Sequence, residues 1–371
     1  MFRIDRNKHS GFEDDYADLA LGVITSNKFK EYSHIADSDW AYFVLSEFYK
    51  KAKEYGLIDT MGLEKISEPV TKDSMDDLRC FMKSFLLAKP EQIHKAHEHL
   101  KPIHDAYVRV KRKKAESPAG FSDFSEDLFL KCFQENDYRA MCNRTDTDGV
   151  KYNVRILRSL GIRSCPYCGC EYIGGRGTKI LGAELDHFVN KSMYPFFALC
   201  LYNLIPSCSA CNNHKSAADD LDLVSPLEEK ADFDSNIGIR IHSRPYVRVA
   251  DEMYHESCMA VKVTADRDSD EYSRYKRNIQ LFNLEDIYDG FEREAALYME
   301  KMTRYPKTQV EELERILAMG EIDEWQSRVR YRHQLEKDLF LDQCAQGEEQ
   351  AGKPVSKMYT DLYRTYRKPK D

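Results

Sequence analysis

The sequence lacks any apolar run approaching the roughly 20 residues that a membrane-spanning helix needs. Its first residues, MFRIDRNKHSGFEDD, contain no apolar stretch of the kind found in secretory signal peptides. The sequence shows no internal repeat and no low-complexity tract over its 371 residues, of which 32% are charged and 42% hydrophobic. We therefore expect a cytoplasmic globular protein without membrane association, long enough for two or three domains.

A general excess of positive charge is also missing, since 55 basic residues stand against 63 acidic ones and the net charge is −8. This balance argues against binding nucleic acid over the whole surface. The segment 151–218 differs, because it holds eight basic and only three acidic residues. Such a basic island suits a site that meets phosphate, although an uneven charge distribution also arises by chance.

The cysteine count is 11, an odd number in a large chain that we expect to be cytoplasmic, so reduced thiols and a metal site are favoured over disulfides. Two pairs have metal-ligand spacing, Cys165-Pro-Tyr-Cys168 and Cys208-Ser-Ala-Cys211, with 39 residues between them. Two such turns complete a tetrahedral zinc site, and four thiolates leave no position open for substrate. The pattern predicts a structural zinc ion.

Hydrophobic spacing predicts a mostly helical α+β protein. Helices are expected over most of 14–100 and again from about residue 269, and a short helix is expected to start near Cys208. The segment EYIGGRGTKILGAELDHF reads as one hairpin turned by Gly174, Gly175 and Gly177, and IGIRIH, YVRVA and CMAVKVTA read as strands. The expected parts are a helical N-terminal domain (1–150), a central core (151–220), and a strand-rich insert with a helical C-terminal region (221–371).

Between the cysteine pairs and just after them lie residues that suit phosphodiester hydrolysis. His187 is a suitable general base, because an imidazole titrates near working pH. Asp186, the preceding residue of the expected strand, points to the other side and can hold a divalent cation. Asn212 would be a second oxygen ligand, and two protein oxygens match the sparse protein coordination of Mg²⁺.

From about Ser164 to Ala218 the sequence resembles the HNH (ββα-metal) nuclease family, through CPYC, LDHF, KSMYP and NLIPSCSACN followed by a lysine. The resemblance implies two strands and a helix around one catalytic Mg²⁺ or Mn²⁺, stapled by the cysteine-bound Zn²⁺. It implies His187 as base, Asp186 and Asn212 as ion ligands, and Asn203 as the residue that pins the loop and orients His187. Lys215 and Lys191 are the expected phosphate contacts. Many members have histidine where Asn212 stands, so His214 is an alternative ligand.

The layout outside this core resembles bacterial HNH proteins that act with an ATPase in anti-phage defence, of the Septu type. We therefore expect a DNA endonuclease with an ATPase partner, and RNA is the alternative substrate. Because one HNH core makes one active site, double-strand cleavage would need a dimer, sequential nicks or a second nuclease. The competing hypothesis is a zinc-stapled nucleic-acid-binding or scaffold protein with an inactive core.

Overall fold

The computed structural model describes residues 1–112, 133, 137–178, 180–216, 223–243 and 259–367. Over these residues the chain is mostly helical and carries three separate two-stranded antiparallel sheets, which confirms the predicted α+β class at this level. None of the described helices has both the length and the apolar character that crossing a bilayer requires. The three predicted domain ranges stay a prediction.

Helices make up the N-terminal part of the described chain. They are α1 (Glu13–Ser26), α2 (Asp37–Glu54), α3 (Leu57–Met61), α4 (Met75–Leu86) and α5 (Pro90–Arg112). In α2 the buried residues Trp40, Val44 and Phe48 recur every four positions, which places them on one helical face. The helix gives way at Gly56, whose φ of 69° lies in the left-handed region that glycine enters without steric cost.

The central part contains the segment between the cysteine pairs. Its elements are α6 (Tyr138–Asn143), α7 (Tyr152–Leu160), β1 (Gly175–Arg176), β2 (Ile180–Leu181), β3 (Glu184–His187), β4 (Leu204–Ser207) and α8 (Ser209–Lys215). The predicted single hairpin needs correction. The glycine-rich turn closes only the short β1–β2 ladder, while β3 pairs with β4 across the loop 188–203.

The C-terminal part pairs two strands and packs helices around them. Its elements are α9 (Phe233–Asn236), β5 (Ile237–Ser243), β6 (Met259–Ala265), α10 (Tyr272–Leu281), α11 (Leu284–Asp289), α12 (Glu292–Arg304), α13 (Lys307–Ala318), α14 (Glu324–Leu339) and α15 (Ser356–Tyr366). Two of the three predicted strands are confirmed as β5 and β6. The third, YVRVA, lies outside the described residues.

The N-terminal helices support the loop 188–203 from one side. The Tyr16 hydroxyl donates to the carbonyl of Leu199 at 2.8 Å, and the rings of Phe85 and Phe197 stack with centroids 6.1 Å apart. All four side chains are buried, in a hydrophobic cluster that also includes residues of the C-terminal part. The loop that joins β3 to β4 is therefore a fixed part of the core.

The C-terminal helices support the first cysteine pair from the other side. Phe282 stacks on Tyr167 with ring centroids 4.3 Å apart, and the Tyr288 hydroxyl donates to the carbonyl of Cys168 at 3.0 Å. Both tyrosines are fully buried. The central segment thus packs against helices of both the N-terminal and the C-terminal parts.

Candidate metal centre and adjoining polar site

The two cysteine pairs meet in one buried cluster. Cys165 and Cys168 lie in the turn that follows α7, while Cys208 caps α8 and Cys211 lies in its first turn. The four sulfur atoms all lie within 4.8 Å of one another. A tetrahedron of zinc thiolates has sulfur–sulfur separations of about 3.8 Å, given Zn–S bonds of about 2.3 Å. The donor set and its spacing fit a metal ion such as zinc.

Local backbone geometry forms the two cysteine turns. Gly169 adopts a φ of 73°, and its N–H donates to the carbonyl of Cys165 at 2.7 Å, which closes the first turn. The N–H of Cys170 donates to the sulfur of Cys168 at 3.4 Å, and the N–H of Cys211 donates to the sulfur of Cys208 at 3.5 Å. Such N–H···S contacts stabilise negative charge on thiolates and orient them for a metal.

The thiols also influence one another. Burial raises the pKa of Cys165, whereas the hydrogen bond from the Cys165 thiol lowers the pKa of Cys168. Without a cation, protons must therefore be shared within the cluster, because four buried thiolates would repel one another. A divalent cation removes that cost, since binding is coupled to loss of the thiol protons.

Strand pairing places Asp186 and His187 close to the cysteine cluster. In the β3–β4 ladder Asp186 lies opposite Ile205 and His187 lies opposite Leu204. Since β4 runs directly into Cys208 and α8, the helix returns along β3. Two strands and one helix thus form a continuous ββα unit, whose helix begins at the cysteine cluster.

One face of β3 points at α8. Glu184 and Asp186 are two residues apart on the strand and so share a face, and Asn212 and Lys215 are three apart on the helix. The amide nitrogen of Asn212 donates to Glu184, and Nζ of Lys215 lies 3.1 Å from Oδ1 of Asp186. The contact to Glu184 leaves the amide oxygen of Asn212 as the acceptor that could bind a cation.

Tyr167 connects this face to the cysteine cluster. Its hydroxyl donates to Oδ2 of Asp186 at 2.6 Å, within the range of a charge-assisted hydrogen bond. Tyr167 stands between Cys165 and Cys168 in the sequence, so the same turn supplies two sulfur donors and the partner of a carboxylate. Sequence reasoning missed both Tyr167 and Glu184. The signals were present, in the place of Tyr167 inside a cysteine pair and in the two-residue spacing of Glu184 from Asp186.

His187 points to the other side of β3. Its Nε2 donates to the carbonyl of Ala198 at 3.0 Å, which fixes a neutral tautomer with the lone pair on Nδ1. The ring of Tyr138 covers it edge-on, with centroids 4.6 Å apart. Burial, followed by the positive charge of Lys191, lowers the pKa of His187 to about 3. The imidazole is therefore neutral at physiological pH in this arrangement.

Asn203 joins the two ends of the loop 188–203. Its Oδ1 accepts from the N–H of Val189 at 2.7 Å, while its Nδ2 donates to the carbonyls of Val189 and Phe197, each at 3.0 Å. The carbonyl of Phe197 immediately precedes Ala198, whose carbonyl holds His187. Asn203 thus fixes the segment that orients the histidine.

The three remaining predicted residues have different surroundings. Lys215 is buried, and its ammonium donates to the carbonyl of His187 at 2.6 Å as well as contacting Asp186. Lys191 is half-buried and places Nζ 4.4 Å above the ring of Tyr138. His214 is exposed. Across the β3–α8 face the structure therefore joins Asp186 to Lys215 and Asn212 to Glu184, while the ring of His187 contacts Ala198 and Tyr138.

Comparison with known proteins gives one partial similarity. The chain is 32% identical over 71 residues to the Septu protein PtuB of Bacillus thuringiensis. The matched stretch covers 19% of this chain and 26% of that protein, so the chain spans about a quarter of the length of this relative. No protein-family model and no solved structure matches the chain.

Proposed function

We propose that this protein is a metal-dependent HNH endonuclease that hydrolyses DNA phosphodiester bonds. The observation that carries the proposal is the ββα unit, in which Asp186 and Asn212 lie on the β3–α8 face while His187 projects from the same strand end. The buried cysteine cluster at the start of α8 is the expected frame for this unit. These residues fall in the order and spacing that the family resemblance requires.

The residues that would hold the catalytic Mg²⁺ or Mn²⁺ are Asp186 and Asn212. Both offer oxygen, the donor that these hard cations prefer. The ammonium of Lys215 already contacts Asp186, so a divalent ion would have to displace it from this carboxylate. When bound, the ion would stabilise charge on the phosphate and on the departing oxygen. Lys215 would then exchange its contact with Asp186 for a substrate phosphate, the role that the sequence predicts for it.

His187 would take the proton from the attacking water through Nδ1. The hydrogen bond from Nε2 to Ala198 selects the tautomer that leaves this atom basic. Tyr138 packs edge-on against the imidazole, so its ring would have to leave room for the attacking water. Exposure to water and to phosphate charge would then raise the pKa of His187 from about 3 toward the operating pH, where a general base is most effective.

The similarity to Septu protein PtuB supports a role in anti-phage defence. We propose that the protein is the nuclease of such a system in the cytoplasm and that it acts with an ATPase. DNA is the proposed substrate and RNA the alternative, because the one-ion chemistry neither needs nor excludes a 2′-hydroxyl. A nuclease of net charge −8 would reach DNA through its basic island, leaving acidic helical surfaces for a protein partner.

The second candidate is a zinc-stapled scaffold with an inactive core. One observation favours it: Asp186 is 4% exposed and both of its oxygens are already bonded, to Tyr167 and to Lys215. A carboxylate in such a contact set can serve as a purely structural ion pair. The two candidates therefore differ in whether this ion pair opens for a divalent cation.

Cleavage of supercoiled plasmid separates the two candidates. The zinc-loaded wild-type protein is assayed with added Mg²⁺ or Mn²⁺ and without either, alone and with any ATPase encoded beside it. The nuclease proposal expects cation-dependent nicking or linearisation that the His187→Ala variant loses, while its zinc content and circular dichroism spectrum stay unchanged. Cleavage by His187→Ala at the wild-type rate would refute the assignment of the base. Absence of cleavage under all of these conditions would favour the scaffold.

A further inference from the structure

A cavity of about 780 Å³ lies beside the ββα unit, and its lining includes none of the proposed catalytic or metal-binding residues. It is formed by the end of α7, the residues on either side of the first cysteine turn and the β1–β2 hairpin. We call it the arginine–tyrosine cavity, after Arg158, Arg163 and Tyr172, which line it together with the backbone of Gly174, Gly175 and Gly182. None of the described lining residues is acidic, in a chain whose net charge is −8.

The two arginines differ in whether their guanidinium groups are anchored. Arg158 is exposed, and its Nη2 donates to the carbonyl of Gly177 at 2.7 Å, which anchors one edge of the guanidinium. Arg163 is also exposed, and within the described ranges its guanidinium has no hydrogen-bond or ion-pair partner. A guanidinium offers five donors in a planar fork that matches phosphate oxygens. Two of them on one cavity without an opposing carboxylate form an anion-binding surface.

Tyr172 adds an aromatic surface next to these charges. Its side chain is 71% exposed, although its backbone is fixed by a β-bridge to Ser164. An exposed aromatic ring on a rigid backbone gives an unpaired base a surface on which to stack. The lining glycines leave part of the cavity wall as bare backbone, and a Cβ added at Gly182 would lie 2.1 Å from the carbonyl oxygen of Gly174. The wall therefore cannot carry side chains at this point.

The cavity is close to the proposed site of hydrolysis. Gly182 precedes Glu184 by two residues and Asp186 by four, along a chain that enters β3. At roughly 3.3 Å per residue, Asp186 lies within about 13 Å of the cavity wall. Stacked nucleotides rise about 3.4 Å each and an unpaired strand extends further per nucleotide, so this span corresponds to at most about four nucleotides. One strand can reach both places.

We propose that the arginine–tyrosine cavity binds an unpaired stretch of nucleic acid next to the phosphate that is cut. Arg158 and Arg163 contact its backbone phosphates, and Tyr172 stacks on one base. The proposal rests on the proposed nuclease function only for the statement that the bound strand is also the strand that is cut. Binding itself does not depend on cleavage. It also explains where the basic island meets its ligand, although the protein as a whole is acidic.

Fluorescence anisotropy with a labelled 20-nucleotide single strand tests the proposal on the zinc-loaded full-length protein without added Mg²⁺ or Mn²⁺. The Arg158→Gln/Arg163→Gln double variant is expected to bind at least tenfold more weakly. Its slope of log affinity against log salt should fall by about 1.4, since each phosphate contact on a single strand contributes about 0.7. Arg315→Gln is the control for removal of one exposed arginine that does not line the cavity, and it should bind like the wild type.

Variants of Tyr172 separate the contribution of base stacking to affinity from that of the arginine charges. Tyr172→Ala should weaken binding roughly fivefold or more, whereas Tyr172→Phe, which keeps the ring, should stay within twofold of the wild type. Wild-type affinity in the double arginine variant would overturn the proposal, and so would failure of the wild type to bind any nucleic acid. Retained nucleic-acid affinity with loss of a protein partner would also overturn it and would assign the cavity to that partner.

The outcomes also distinguish this proposal from the nuclease proposal. A wild-type protein that binds through the cavity but never cuts would support the binding site and contradict the nuclease. A protein that cuts with Mg²⁺ while its double arginine variant binds normally would support the nuclease and contradict the binding site. His187→Ala should bind the single strand like the wild type, because it leaves the cavity unchanged.

Discussion

The cysteine cluster and the neighbouring Asp186–Asn212 face differ in how ready they are for a cation. The four sulfurs converge within 4.8 Å and contact mainly one another. Asp186 and Asn212 instead contact Lys215, Tyr167 and Glu184. The first centre can take a metal as it stands, whereas the second must exchange a protein cation for a metal ion. If the second centre is the proposed catalytic site, the Asp186–Lys215 pair must therefore open before a divalent ion binds.

Loss of a sulfur ligand should give the largest effect. Cys208→Ser leaves three thiolates for the metal, while the serine hydroxyl still offers an N-cap acceptor at the start of α8, so the effect reports loss of the sulfur ligand. We expect less than one zinc ion per chain by elemental analysis and a free energy of unfolding lower by several kcal/mol. Cys80→Ser is the control, because Cys80 is exposed. A Cys208→Ser protein with full zinc content and unchanged melting temperature would contradict the assignment of the cluster.

The Asp186–Lys215 pair allows stability and activity to be separated. Asp186→Asn leaves the ammonium of Lys215 buried without its counter-charge, which should cost about 3–5 kcal/mol in urea unfolding. The double variant Asp186→Asn/Lys215→Met removes both charges and should recover most of that loss. Cleavage should remain at least 100-fold reduced in both variants, because neither offers a carboxylate to the cation. A double variant that regains cleavage would exclude Asp186 as an ion ligand.

Tyr167→Phe tests the connection between the two centres. The change removes one hydroxyl that donates to Asp186 and keeps the ring stacked on Phe282. We expect a loss of about 1–3 kcal/mol in unfolding free energy, the usual cost of removing a buried hydrogen bond to a charged group. If Tyr167 also positions Asp186 for the ion, the Mg²⁺ concentration for half-maximal cleavage should rise while zinc content stays constant. An unchanged Mg²⁺ requirement would limit Tyr167 to a structural role.

The difference between local and long-range contacts explains how much of the structure the sequence could predict. The cysteine pairs, the turn at Gly177 and the start of α8 at Cys208 depend on residues a few positions apart, and the structure confirms each of these local features. The pairing of β3 with β4 was missed, because it joins segments separated by the loop 188–203, whose placement depends on packing against the N-terminal helices.

The burial of Lys215 has a similar cause. A lysine in a basic island predicts contact with solvent or phosphate, since burial of a lone charge is costly. The structure instead places it between Asp186 and the carbonyl of His187, where a long-range contact supplies the counter-charge. Its predicted phosphate role therefore depends on opening of this pair, and the catalytic roles of Asp186, His187, Asn203 and Asn212 stay predictions until the variants are assayed.

Substitution of His9 should give the smallest effect on stability and cleavage. It is also the control for His187, since both are buried histidines whose neutral form is favoured. Burial lowers the pKa of His9 to about 4, and its Nδ1 lies 2.8 Å from the hydroxyl of Ser159. Because an unfolded histidine titrates near 6.5, protonation below that pH favours the unfolded state. Stability should therefore fall between about pH 6.5 and 4, by at most about 3 kcal/mol. His9→Gln should reduce this pH dependence in urea unfolding and leave cleavage at pH 7.5 within twofold of the wild type. The opposite result would be that His9→Gln abolishes cleavage, as His187→Ala is expected to do. That result would show that disturbing a buried histidine is enough to stop cleavage, and the loss of activity in His187→Ala would no longer identify His187 as the base.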